Sequence, residues 1–280
     1  MGKLKIKKFS TKAESDKWLI DNQPLLKAQR RSVPKFTDGH DYGFTSFAVN
    51  ERGERLKAEE IIDNPDIDNG TLKVKCVINA TNILDSHRDL HLPGIWKKSL
   101  SEKKLIYLCQ EHDLTFKGII SDEIKAYTET MSFKDLGFSF EGNTECLIFD
   151  AIIHKDRNEF MYNQYLKGYV RNHSVRMDYV KEYFCMETDN PDGVQFQENW
   201  NKYAPQVANK ECLDTITWFY AVTEAKVRDE GSAVVKGSCS VTPTLEVTAE
   251  NKGQAEDDSL DNKREPDDST PKTEVKRRFI

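Results

Sequence analysis

Apolar residues recur along this chain with two different periods, and the changes between them divide it into regions. Residues 11–30 set Trp18, Leu19, Leu25 and Leu26 among charged neighbours, the spacing of a short amphipathic helix interrupted near Pro24. From about residue 44 the period shortens. Phe44 to Val49 alternate weakly, and Leu72 to Ile78 form a period-two run rich in β-branched side chains, which predicts a strand. Trp96 to Lys104 predict a short helix, and the compact apolar run Leu105 to Leu108 predicts a buried strand that delivers His112 at its end. Gly118 to Ile120, Thr128 to Phe133 and Phe138 to Phe140 predict further short strands between turn-rich joints. Helical spacing returns at Phe160, Tyr162, Tyr165 and Leu166 and stops at Gly168, and the strand Tyr169 to Val180 follows. Residues 186–212 are polar, carry two prolines and read as a surface insertion, after which Thr215 to Val227 and Ser232 to Val241 predict the last strands.

After about residue 246 aromatic side chains vanish until Phe279, while Asp, Glu, Lys, Ser and Pro dominate. Such a segment cannot bury enough apolar surface to offset its ordering entropy, so it is expected to be disordered. The organisation expected is therefore an N-terminal helical arm over 1–43, a main domain over 44–245 with an insertion over 184–214, and a charged tail over 246–280.

Composition narrows the function classes. With 280 residues and 38% hydrophobic content the chain can bury one substantial core. Its net charge of -6 masks a basic start at Lys3, Lys5, Lys7 and Lys8 and an acidic stretch near the end, a balance unlike that of a general nucleic-acid binder. No apolar run approaches the roughly 18 residues of a membrane span, and Met1-Gly2-Lys3-Leu4 lacks the features of a secretory signal, so a soluble intracellular protein is expected. Ile6 stands where a myristoylation motif wants Ser or Thr. The six cysteines include no CxxC pair, which points to reduced, mostly buried thiols rather than a zinc site or disulfide framework.

His87-Arg88-Asp89-Leu90 spells the start of a protein-kinase catalytic loop, but Gly94 occupies the position where that loop needs a metal-binding Asn, and no glycine-rich phosphate loop precedes it. His87, Asp89 and His91 would share one face if extended and could bind a metal, though a turn satisfied by local hydrogen bonds is the expected reading, and no metal or cofactor is expected. His112, in Gln110-Glu111-His112-Asp113, follows an apolar strand, a position from which an imidazole can enter a cleft and exchange protons near neutral pH. Ser174 lies in a strand that begins after Gly168, where Ser174, Arg176 and Asp178 share one face. A nucleophile on a strand is held rigidly, and a neighbouring cation could steady a developing oxyanion.

Asp85 to Asp89 with Leu92-Pro93-Gly94-Ile95-Trp96, then Gln110-Glu111-His112-Asp113 with Gly118, then Gly168 to Val175, then Lys226 to Val234 resemble, in order, the sequence blocks of the tailed-phage prohead (capsid maturation) serine proteases. The resemblance spans roughly residues 70–243. It implies an α+β fold similar to the herpesvirus assemblins, with an antiparallel β-barrel-like core flanked by helices. It also implies His112 as base and Ser174 as nucleophile, and it puts the family's Glu-x-Ser block on Glu230-Gly231-Ser232, with Glu230 orienting His112. Glu224 competes for that role, and an assemblin-like arrangement would use a histidine instead, with His87, His91, His154 and His173 available.

The chain departs from the family at Arg88 and at Arg176, each standing where glycine is common, and at the longer 184–214 segment. Arg176 is the candidate oxyanion-hole group. The function implied is an endopeptidase that cuts scaffolding segments of the major capsid protein, and itself, inside an assembling prohead in the host cytoplasm, without a membrane or a specific nucleic-acid partner and with self-association possible inside the shell. The alternative is an inactive structural or scaffolding protein with the same fold. The tail ending Lys276-Arg277-Arg278-Phe279-Ile280 would serve as a self-cleavage segment or as a tether to the capsid interior.

Overall fold

The alternation at Leu72 to Ile78 becomes β1 (Thr71–Ala80) in a computed structural model that describes residues 9–32, 70–102, 104–249 and 277–278. Leu72, Val74 and Cys76 are buried while Lys73 is exposed, so the strand has one face to cover. β1 lies between β6 (Asn143–His154) and β9 (Thr244–Ala249), antiparallel to both. β5 (Glu123–Ser132) continues the sheet beyond β6, and β10 (Arg277–Arg278) continues it beyond β9. The order is β10-β9-β1-β6-β5.

A second sheet is built on β8 (Trp218–Val234), the longest strand. Along one edge runs β7 (Asn172–Met186), antiparallel to it. Along the other edge lie β2 (Asp89–His91) and then β3 (Tyr107–Gln110), both parallel to β8, with β4 (Ile119–Ser121) outside β3. The inner faces meet in one cluster: Leu72, Val74, Cys76, Ile78, Leu147, Phe149 and Ile153 from the first sheet, and Leu108, Val175, Val222, Ala225 and Ala233 from the second. Full burial of each large side chain contributes roughly 1.5–3 kcal/mol. At Gly231 the sheets approach so closely that a Cβ would stand 2.8 Å from both Ile78 and Phe149. That contact fixes the inner face of β8, and strand alternation then turns Glu230 and Ser232 to the outer face.

The fold is thus α+β with mostly antiparallel sheets. The two sheets keep separate hydrogen-bond ladders among the described residues, so they form no closed barrel, which would need a continuous ladder. No helix among the described residues is long and apolar enough to cross a membrane.

The described part of the arm holds two helices, α1 (Lys12–Asp21) and α2 (Gln23–Ser32), with Pro24 in the first turn of the second, where its missing donor costs nothing. Leu19 packs on Phe184, Met186 and Tyr220, so the arm is docked on the second sheet. Among the described residues three further helices follow: α3 (Lys97–Ser101), α4 (Glu159–Leu166) and α5 (Val194–Tyr203). α4 ends as the glycine predicted. Gly168 takes φ 71°, and the amides of Gly168 and Tyr169 donate to the Tyr165 and Gln164 carbonyls, a Schellman closure.

Several expectations change. β3 starts at Tyr107, leaving Leu105 62% exposed. Phe138 and Phe140 form no strand; they stack on each other and close a small aromatic cluster with Phe133. β6, which carries both inner and outer core residues, has no strand signal in the sequence because it is buried on both faces in its middle and shows no clean alternation. Ser232 to Val234 complete β8 rather than starting a new strand. The 184–214 segment is not a loose surface insertion. Phe184 to Met186 end β7, and α5 with its flanking turns places Tyr203, Ala204 and Val207 against Leu84, Leu90, Leu92 and Phe219. Residues 246–249, assigned to the tail, pair in β9, and Arg277 and Arg278 pair with Val247 and Glu246. The expected strand at Phe44 to Val49 and the tail over 250–276 lie outside the described residues.

Candidate active site

β3 ends in an unusual turn. Glu111 and His112 take φ of 48° and 58° in succession, a left-handed conformation that costs roughly 1–2 kcal/mol per non-glycine residue. Hydrogen bonds on both sides hold it: the Glu111 amide donates to the Ala233 carbonyl at 2.9 Å, and the Asp113 amide to the Gln110 carbonyl at 2.8 Å. The turn closes tightly on Gly118, where a Cβ would lie 2.0 Å from the Asp113 carbonyl oxygen. Its effect is to fold His112 back over the outer face of β8.

There the imidazole meets Glu230. His112 Nδ1 lies 2.7 Å from Glu230 Oε1, and the carboxylate is fully buried while the ring is 36% exposed. Glu230 Oε2 accepts from the Ser232 hydroxyl at 2.6 Å, and Ser232 Oγ accepts from the His112 amide at 3.2 Å. With Oε2 already taken by that hydroxyl, Oε1 is an acceptor for Nδ1–H, which leaves Nε2 as the basic nitrogen.

β7 brings Ser174 alongside. Ser174 pairs directly with Ser232 in the β7–β8 ladder, and residues so opposed share a face with Cβ atoms about 5 Å apart. Ser174, Ser232 and Glu230 therefore occupy one side of the sheet, with His112 over it. His112 and Ser174 share no hydrogen bond among the described residues. Beyond Ser174 the ladder bulges: Val175 pairs with Gly231 but Met177 pairs with Val227, so Arg176 faces the three residues Arg228, Asp229 and Glu230. Asp229 lies within this irregularity with φ 64°, and Glu230 after it pairs with Tyr107 of β3. Arg176 is exposed on the Ser174 face and makes no ion pair among the described residues.

The other candidates are elsewhere. Glu224 pairs with Lys98 at 3.2 Å. His154 faces Glu123 at 2.9 Å on the first sheet. His173, next to Ser174, points to the opposite, inner face: it is fully buried, its Nδ1 donates to the Thr242 carbonyl and its Nε2 accepts from the Tyr165 hydroxyl, each at 3.0 Å. Burial pushes its pKa down to about 4, outweighing the bond to Thr242.

His87 and His91 belong to the far end of β8. The trio whose ligand atoms converge within 4.8 Å there is Asp85, Asp89 and His91 rather than His87, Asp89 and His91. His87 stands back, with Nδ1 4.0 Å from Asp85. Asp89, whose side chain is fully buried, bonds to Arg30 of α2 and accepts from the Tyr179 hydroxyl at 2.6 Å. The guanidinium also faces Glu182 at 3.4 Å and stacks over Tyr220 at 3.7 Å. A cation already occupies this end, so the trio is read as a structural tie. The Arg30–Asp89 pair gave no sequence signal, since 59 residues separate its members. Arg88 takes φ 61°, a physical reason for glycine to be favoured at that position, and stacks over Trp218 at 4.3 Å. The six cysteines are free thiols and five of them are buried.

No protein-family model, curated protein or solved structure matches this chain.

Proposed function

We propose that this chain is a serine endopeptidase of the prohead-protease kind, with Ser174 as nucleophile, His112 as general base and acid, and Glu230 as the carboxylate that orients the imidazole. The observation that carries this reading is the 2.7 Å bond between His112 Nδ1 and the fully buried Glu230, on the sheet face that also bears Ser174. In the proposed reaction His112 Nε2 takes the Ser174 proton as Oγ bonds to the peptide carbonyl carbon, and the carbonyl electrons move to oxygen. Arg176, exposed on the Ser174 face, is the group proposed to face that oxyanion. His112 then protonates the amine as the C–N bond breaks, and water deprotonated by His112 releases the acyl group.

The substrates proposed are scaffolding segments of a capsid protein and the chain itself, cut within an assembling shell. An assemblin-like, barrel-related core is part of the same proposal, supported by the order of the sequence blocks and by the two packed sheets. The test is incubation of full-length protein with capsid precursor under assembly conditions, comparing wild type with Ser174→Ala. Cleavage by the wild type that drops at least about a thousandfold in the variant supports the reading. Equal cleavage by both removes Ser174 as nucleophile, and an intact precursor with wild type present in the shells favours the inactive scaffold.

A further inference from the structure

The proposed reaction leaves one buried polar side chain of the site without a role. Ser232 is fully buried, lies between Cys109 of β3 and Ser174 of β7 on the two ladders of β8, and uses its hydroxyl twice. The hydroxyl donates to Glu230 Oε2 at 2.6 Å and accepts from the His112 amide at 3.2 Å. With the 2.7 Å bond from His112 Nδ1 to Oε1, these contacts form a closed ring joining a hydroxyl, a carboxylate, an imidazole and that imidazole's own backbone.

Each link restrains something different. Bonds to both oxygens stop the carboxylate from rotating about its terminal torsion, so Oε1 stays aimed at Nδ1. The bond to the amide holds the second of two consecutive left-handed residues, a conformation that relaxes unless its surroundings over-determine it. Strand alternation makes the arrangement possible from sequence: in Glu230-Gly231-Ser232 the outer residues share a face while glycine permits the sheet contact beneath.

We infer that Ser232 is a positioning residue for the His112–Glu230 pair, fixing the Nδ1–H form of the ring and directing Nε2 towards Ser174. This rests on the protease reading for its consequence in cleavage, but not for its geometry. Without the hydroxyl, Glu230 Oε2 and the His112 amide each lose their partner in a water-poor site, and the ring is free to turn and exchange tautomers.

The test uses full-length protein with 15N-labelled histidine. The His112 Nδ1–H signal and the tautomer-dependent nitrogen shifts are recorded for wild type, Ser232→Ala and Ser232→Cys, the last being close in size but a poor donor, so that the outcome does not depend on the alanine variant folding. Both variants are expected to broaden or lose the Nδ1–H signal and to move the nitrogen shifts towards a tautomer mixture, with His173 unchanged as an internal control. Cleavage of capsid precursor should fall about tenfold to a hundredfold, in kcat rather than KM, the scale of one buried hydrogen bond. Wild-type nitrogen shifts and Nδ1–H signal in a folded variant overturn the positioning role. Changed signals in a protein whose wild type does not cleave leave that role standing and remove the protease reading instead.

Discussion

The two ends of β8 each carry a fully buried carboxylate, and they treat it in opposite ways. At the start of the strand Asp89, paired with Tyr220 in the β2–β8 ladder, is held by Arg30 and the Tyr179 hydroxyl. At the far end Glu230 is held by His112 and the Ser232 hydroxyl. The partner decides what each site can do. Burial works against the Arg30 charge, but Asp89 and Glu182 outweigh it and keep the guanidinium above its ordinary pKa, so that end has a permanent ion pair. Arg30 is only 14% exposed, whereas the His112 ring is 36% exposed. One end ties the arm to the sheet, and the other leaves an imidazole open to solvent on the face that bears a serine.

Breaking the tie should give the largest stability effect. Asp89→Ala leaves the Arg30 guanidinium buried beside Tyr220 and Glu182 with its main partner gone. A loss of about 3–5 kcal/mol is expected in urea unfolding, or early proteolysis of the arm if α1 and α2 come away instead. Replacing Arg30 with Met in the same chain should recover part of it. An unchanged midpoint and a protected arm mean that the ion pair does not hold this end together.

Acid should act next, at the Ser174 end. His173 titrates at about 4 in the fold and near 6.5 when unfolded, so its native form resists a proton that the unfolded chain accepts. Its contribution is fully present above about 6.5 and is lost as pH falls towards 4, by roughly 3 kcal/mol in total. Unfolding midpoints of wild type and His173→Gln over that window test the sign: the wild type should lose stability more steeply. Parallel curves would show that the buried imidazole is not responsible.

The smallest effect separates the two competing acids. Glu224 makes a partly exposed pair with Lys98, and pairs of that kind contribute about 0–1 kcal/mol. Glu224→Gln should therefore change stability by less than about 1 kcal/mol and leave cleavage at the wild-type rate. A large loss of cleavage would move the carboxylate role from Glu230 to Glu224.

Much of this was written locally. The period-two run at Leu72 to Ile78, the helix that stops at Gly168 and the strand that follows it could be read directly, because one-sided burial imposes its period on neighbouring residues. β6 and the aromatic turn at Phe138 could not, because burial on both faces erases the alternation and a hydrophobic triplet has no period of its own. The segment after Cys185 gives a weak signal for a related reason: Tyr203, Ala204 and Val207 stand at the end of α5 and in the turn after it, among many polar residues, and only the tertiary contact with Phe219 and Leu90 shows that they are buried.

By itself the sequence determined which residues are candidates: a histidine after a short apolar strand, a serine in a strand that starts at a glycine, and, through the resemblance of its blocks, Glu230 in a Glu-Gly-Ser triplet. It left the third partner open among Glu230, Glu224 and four histidines, since 118 residues separate His112 from Glu230 and no local rule spans such a distance. The tertiary structure put Glu230 on His112. It did so by laying β3 along one edge of β8 and β7 along the other, bulging β8 at Asp229 and reversing the chain at Glu111 and His112. Strand pairing and strained turns of that kind are fixed by the packing of two sheets, where the energy of many distant contacts outweighs the preference of any one segment.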